Sequence, residues 1–198
     1  LPIASGIGGG SADAAAAIKG LVRHWGIHPS LHDLSGLALG LGSDVPICLF
    51  GKAAFMGGIG EQIDPVYALP EAPMILVNPR VSISTPAIFK TRKASFSPAS
   101  RFNVTPTTLH SLINLLNERR CNDLMKPAIQ TEPIIGDVLN QIEKTHGCQL
   151  SRMSGSGATC FGFYPTQLEA DEAAEMIRDA YPKWWVVATR MINDVRSL

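Results

Sequence analysis

A glycine-rich run, Pro2-Ile3-Ala4-Ser5-Gly6-Ile7-Gly8-Gly9-Gly10-Ser11-Ala12, passes without a break into Asp13-Ala14-Ala15-Ala16-Ala17-Ile18. Four of the five residues from Gly6 to Gly10 are glycine, so several backbone N–H groups can turn toward one point with no side chains in the way. The alanine-rich stretch behind them is a strong helix former, which argues against a flexible linker. A helix N-terminus presents free N–H groups and the positive end of its dipole to an anion. The simplest ligand for a loop of this kind is a phosphate chain. Spacing excludes two familiar phosphate loops. A P-loop requires Lys-Ser or Lys-Thr after its last glycine, whereas Ser11-Ala12 follow here and the nearest lysine is Lys19. The dinucleotide fingerprint requires a third glycine where counting from Gly6 and Gly8 gives Ser11.

Composition narrows the partners. The formal net charge is zero and the pI is about 7.1, which points to neither a nucleic-acid backbone nor an acidic membrane. No apolar run approaches the roughly 20 residues needed to span a bilayer. Cys48, Cys121, Cys148 and Cys160 form no C-x-x-C pair, and most adjoin apolar runs. The expectation is reduced thiols in a cytoplasmic protein, without zinc. His24, His28 and His32 lie four apart, but Gly26 and Pro29 interrupt the helix that would align them, so no metal ligands are assigned.

Periodicity predicts a helix over 11–25 with Ser11 as its N-cap, and another over 31–39 with Ser30 as its N-cap. Residues 47–50 and 53–56 read as short strands folded around Gly51-Lys52. Leu69-Pro70-Glu71-Ala72-Pro73 marks an extended joint. Beyond it a strand is predicted over 74–78 and helices over 108–118 and 134–145. Paired strands follow over 148–153 and 160–164, then a helix over 168–180 and a strand over 184–192. That order predicts an α+β chain with a ferredoxin-like module after residue 71. The domains expected are 1–70 and 71–198.

Two further segments carry chemistry. Leu41-Gly42-Ser43-Asp44-Val45-Pro46 places a carboxylate in a turn, where it could orient a hydroxyl acceptor or simply make a local hydrogen bond. Met153-Ser154-Gly155-Ser156-Gly157-Ala158-Thr159 is a second small-residue loop, which would close over a ligand or merely turn the chain.

Taken in order, the Pro-x-x-x-Gly-Ile-Gly-Gly-Gly-Ser, Gly-Ser-Asp-Val-Pro and Ser-Gly-Ser-Gly-Ala segments resemble the GHMP kinase superfamily. The resemblance implies a two-domain architecture: part of an N-terminal ribosomal-protein-S5-like domain and a C-terminal ferredoxin-like domain. It implies ATP bound by Pro2, Ile3, Ala4, Ser5, Gly6, Ile7, Gly8, Gly9, Gly10, Ser11 and Ala12, with Mg²⁺, and Asp44 as the catalytic base. Asp13 is left to the helix dipole. Ser154, Gly155, Ser156 and Gly157 form the second glycine loop. Pro79-Arg80-Val81-Ser82-Ile83-Ser84-Thr85-Pro86-Ala87-Ile88-Phe89 is most similar to members whose acceptor is a cytidine diphosphate-linked methylerythritol. On that likeness Thr85, Pro86 and Phe89 meet the acceptor, the ring stacking on the pyrimidine. The residue-level alternative is a core Phe on a short helix. Family members carry a lysine-bearing segment ahead of the glycine loop, so the chain is expected to be the larger C-terminal part of such an enzyme. The expected partner is a small molecule, with no nucleic acid or membrane, in a monomer or homodimer. A homoserine- or mevalonate-type kinase and a non-catalytic nucleotide-binding module are the alternatives.

Overall fold

The structure, a computed structural model, describes residues 1–2 and 5–195, without the side chains of Leu31 and Arg119. It divides into two compact units. One comprises the residues up to Ile7 with Pro70–Ile192, the other Gly8–Leu69 with the segment from Asn193.

The smaller unit is mainly helical: α1 (Gly9–His24), α2 (Leu31–Leu41) and α3 (Val45–Phe50), then strands β1 (Ala54–Gly57) and β2 (Gln62–Pro65). Ala15 and Ile18 of α1 pack with Ala38 of α2 and with Val45 and Leu49 of α3. The α2 start follows the predicted cap. Ser30 Oγ accepts the Asp33 N–H, and the Asp33 carboxylate accepts the Ser30 N–H at 2.8 Å. The Ser30 hydroxyl also donates to the Asp33 carboxylate at 2.7 Å, and that bond, with the one from the Ser30 N–H, holds the Asp33 carboxyl below its usual range.

Three expectations need correction here. The N-cap of α1 is Gly8 rather than Ser11, which lies in the first turn. Gly8 takes a left-handed conformation (φ 69°) that glycine adopts without steric cost, so the helix starts inside the glycine run. Residues 47–50 belong to a helix, not a strand. Pro46 pre-sets the first turn, Val45 and Leu49 align one turn apart against α1, and Gly51 (φ 69°) ends it. The hairpin does not fold around Gly51-Lys52. β1 and β2 pair antiparallel from Ala54↔Pro65 to Gly57↔Gln62, so the turn lies between them. Lys52 instead bridges to Asp194, with an ion pair at 3.6 Å.

The larger unit contains β3 (Ala72–Asn78), α4 (Thr85–Thr91), α5 (Leu109–Arg119), α6 (Met125–Thr131) and α7 (Ile134–Glu143). They are followed by β4 (Leu150–Met153), β5 (Cys160–Phe163), α8 (Gln167–Ala180) and β6 (Trp185–Met191). The four strands form an antiparallel sheet in the order β4-β5-β3-β6. With α7 and α8 as its crossovers this is the predicted ferredoxin-like topology, and the chain is α+β. Alternation along β3 sends Ile75 and Val77 into a core with Ile135, Val138 and Ile142 of α7 and Ala170, Ala174 and Ile177 of α8. Ala72 and Met74 face the other way, toward Leu109, Ile113 and Leu116 of α5. The helix α6 was not predicted: seven residues around Pro127 are too short to show a period.

One glycine in the sheet sets how closely α7 lies on it. A Cβ at Gly162 would fall 2.5 Å from Ile142 Cγ2, and Ile142 is fully buried. Gly162→Ala is therefore expected to cost about 1–3 kcal/mol by overpacking. Urea unfolding checks it; a midpoint unchanged from the parent would show that α7 can retreat freely.

Candidate active site

In the larger unit the structure joins the beginning of the glycine run to the second glycine loop. Ser154 N–H donates to the Thr159 carbonyl and Gly157 N–H to the Ser154 carbonyl, both at 2.9 Å, which closes the loop between β4 and β5. Onto it comes the segment Ser5-Gly6. Thr159 N–H donates to the Ser5 carbonyl at 3.2 Å, and Ser154 Oγ donates to the Gly6 carbonyl at 2.8 Å. Gly6 has φ +70°, and a Cβ there would lie 2.3 Å from the Gly157 carbonyl oxygen. Buried Asn78, at the end of β3, donates to Thr159 Oγ1 at 2.9 Å and accepts the Arg80 N–H at 2.7 Å. The sequence reading missed this clasp, as well as Asn122, whose amide holds the same loop. No residue pattern announces a contact made across 148 positions.

The acceptor-side residues reach the loop too. Thr85 opens α4, with Pro86 next, and Thr85 Oγ1 shares a hydrogen bond with Ser156 Oγ at 2.7 Å. The buried residue of α4 is Ile88, whereas Phe89 is 47% exposed. Its ring meets that of Phe96 edge-on, centroids 6.5 Å apart, and the Arg92 guanidinium lies over Phe96. Phe89 is thus outside the core. Pro2, Arg80, Ser82 and Trp185 line a cavity of about 520 Å³. Ile3 and Ala4 lie outside the described residues.

The smaller unit holds the rest of the glycine run and Asp44. The first intrahelical bond of α1 runs from Ala12 N–H to the Gly8 carbonyl at 2.9 Å, so the N–H groups of Gly9, Gly10 and Ser11 precede the ladder. Ala12 has already committed its donor. A Cβ at Gly8 or Gly10 would meet nothing within 4 Å among the described residues. Gly6 is glycine because backbone crowds it, whereas a side chain at Gly8 or Gly10 would meet open space among the described residues. The first turn of α1 carries no acidic residue: with the helix starting at Gly9, Asp13, expected to favour the N-terminus through the dipole, lies beyond that turn.

Asp44 occupies the turn before α3 and makes no side-chain capping bond. The turn is braced from behind: Gly60 has φ +113°, and a Cβ there would lie 2.0 Å from the Ser43 carbonyl oxygen. Burial, and secondarily the Asp44 carboxylate, pushes the Cys48 thiol up. His24 ends α1, His28 lies between helices and His32 lies in α2. Among the described residues no three His, Cys, Asp or Glu side chains gather as metal ligands, and no helix is long and apolar enough to cross a membrane.

Comparison with known proteins adds sequence and structural relatives. Residues 1–52 match the family described as GHMP kinases N terminal domain, and residues 106–183 the family GHMP kinases C terminal. A 4-diphosphocytidyl-2-C-methyl-D-erythritol kinase of Paramagnetospirillum magneticum is 48% identical over 193 residues, covering 98% of this chain and 67% of the relative. The enzyme of the same name from Rhodospirillum rubrum is 46% identical, covering 98% of this chain and 64% of its own length. A crystal structure of 4-(cytidine 5'-diphospho)-2C-methyl-D-erythritol kinase superposes with a TM-score of 0.73 at 29% identity, covering 95% of this chain and 67% of that one. The chain thus spans about two thirds of the length of the curated relatives it matches.

Proposed function

Because the chain belongs to the 4-diphosphocytidyl-2-C-methyl-D-erythritol kinase family within the GHMP kinases, we propose that the protein transfers the γ-phosphoryl group of ATP to the 2-hydroxyl of 4-diphosphocytidyl-2-C-methyl-D-erythritol. The observation that carries this reading is the start of α1: three N–H groups ahead of the helical ladder, glycines at Gly8 and Gly10 that put no side chain there, and no acid in the first turn. An ATP phosphate chain would accept from those N–H groups and lie at the positive end of the helix dipole.

The reading assigns residues 1–70 to the ATP-binding part and 71–198 to the C-terminal domain. Phosphoryl transfer passes through a loose transition state, so positioning and charge stabilisation supply most of the rate. Asp44, which makes no capping bond that would hold its carboxylate, orients the acceptor hydroxyl and takes its proton as the bond to phosphorus forms. Gly6 to Gly10 hold the phosphates by backbone donors, and Ser11 adds a hydroxyl. Thr85, Pro86 and Phe89 meet the cytidine end, with the half-exposed Phe89 ring available for stacking. Ser154, Gly155, Ser156 and Gly157 form the second glycine loop, which holds Gly6 through the Ser154 hydroxyl. The residues present suit a Mg²⁺ that keeps water and phosphate oxygens as most of its ligands, with Ser11 Oγ as a protein donor, rather than a cage of side chains. Bound there, Mg²⁺ would neutralise charge on the phosphates. The reaction belongs to isoprenoid precursor synthesis by the non-mevalonate route and would take place in the cytoplasm, by a monomer or homodimer.

The test is an acceptor panel with the whole protein and Mg-ATP. Phosphorylation of the diphosphocytidyl acceptor, and not of homoserine or mevalonate, is expected. Transfer to homoserine or mevalonate instead would move the protein to another branch of the superfamily. ATP binding without any acceptor turned over would leave a nucleotide-binding module.

A further inference from the structure

Asn122 stands in the turn ahead of α6, partly buried, and its carboxamide is fully engaged. Nδ2 donates to the Met153 carbonyl at 3.0 Å and to the Gly155 carbonyl at 2.7 Å, while Oδ1 accepts the Leu124 N–H at 3.0 Å. The two carbonyls it holds lie on either side of Ser154. A planar head with two N–H donors and one acceptor is what this position uses, and among neutral side chains only Asn and Gln carry one. By holding the Met153 and Gly155 carbonyls, the amide holds the stretch of backbone that carries Ser154, whose Oγ donates to the Gly6 carbonyl.

The link from Asn122 to Gly6 has little slack. A Cβ at Gly155 would lie 3.0 Å from the Gly6 carbonyl oxygen, and one at Gly6 would lie 2.3 Å from the Gly157 carbonyl oxygen. At such distances, packed backbone shifts together rather than yielding locally. Gly6 is the residue from which the chain continues through Ile7 into the N–H groups that open α1.

We propose that Asn122 is a positioning residue for the nucleotide: acting through Ser154, it sets the Gly6 peptide group and so the backbone from which the ATP loop departs. The inference rests on the reading that this loop holds the phosphates of ATP. It assigns Asn122 no contact with ATP or acceptor, and places its larger effect on ATP, since the acceptor side is reached only through the Ser156–Thr85 hydrogen bond.

The experiment uses the whole protein, with ATP and the diphosphocytidyl acceptor varied independently, and a direct titration with Mg-ATP. Asn122→Ala and Ser154→Ala are each expected to raise the KM and the dissociation constant for ATP about tenfold, leaving the acceptor KM within about twofold. The double variant should bind ATP no worse than the weaker single, because both substitutions cut one chain of bonds. Asn122→Asp keeps the shape but turns acceptors toward both carbonyls, and should match or exceed the alanine effect. It also serves if Asn122→Ala does not fold. Equal loss for both substrates, or effects that multiply to about a hundredfold in the double variant, would overturn the inference. If the parent protein turns over no acceptor, the kinase reading falls, while the ATP titration of the same variants still decides the role of Asn122.

Discussion

Asp44→Asn is expected to lower kcat for phosphoryl transfer by about 10²-fold or more while ATP still binds, because the amide cannot take the acceptor proton. The substitution is nearly isosteric. Asp44 makes no capping bond whose loss would unravel α3, and Gly60 braces the turn through backbone rather than through the carboxylate. Stability should therefore stay close to that of the parent, so that a lower rate reports chemistry and not unfolding. A second readout accompanies it. The Asp44 charge is one of the causes that push the Cys48 thiol up, so Asp44→Asn should let that thiol ionise at a lower pH and react faster with an alkylating reagent. Steady-state and single-turnover rates beside urea midpoints decide the matter. A variant that keeps its rate within a few-fold of the parent would make Asp44 a bystander and would leave the proton to another group.

Gly6→Ala should be the most damaging exchange within the glycine run. The added carbon would lie 2.3 Å from the Gly157 carbonyl oxygen, 2.9 Å from its carbon and 3.0 Å from the Ser154 carbonyl oxygen, all backbone atoms. The φ of +70° adds strain for any residue with a Cβ. The combined cost is expected to reach about 3 kcal/mol or more, with loss of ATP binding. Gly8→Ala meets nothing within 4 Å among the described residues and carries only the conformational penalty at φ +69°, about 1 kcal/mol. Three glycines that look alike in sequence thus separate by environment: Gly6 by contact, Gly8 by conformation, Gly10 by neither. Urea unfolding of the Ala variants ranks them. A Gly6 variant no less stable than the Gly8 variant would mean that the two glycine loops do not press on each other.

The parts of this arrangement that could be read from sequence are those governed by local pattern. The larger unit's strands and α7 and α8 are long enough, or alternate cleanly enough, for their order to give the ferredoxin-like topology directly. Ser30 could be recognised as a cap because its partner, Asp33, lies three residues away. The four apolar residues at 47–50 could not be read that way: both a strand and a buried helix satisfy such a run, and Ala15 and Ile18 on another helix decide between them. Ser11 looked like an N-cap because hydroxyl residues usually are; the helix began three residues earlier because Gly8 could turn without a side chain. For the site, residue types signalled the two glycine loops and Asp44. The Ser154–Gly6 bond, the Asn122 amide and the bracing of Ser43 by Gly60 are tertiary, and nothing in the neighbouring sequence encodes their partners.

The way the two units divide the chain bears on cutting it. A scission at Leu69-Pro70 would follow the most visible joint, yet neither fragment would be self-sufficient. Residues 8–69 would lose the segment whose Asn193 carbonyl accepts the Ala53 N–H and whose Val195 N–H reaches the Gly51 carbonyl. Residues 70–192 would lose Ser5 and Gly6, stranding the Thr159 N–H and the Ser154 hydroxyl. Each fragment would keep its apolar core and fail at its polar seams. Complementation by a short peptide, rather than repacking of the interior, is the remedy such fragments would need.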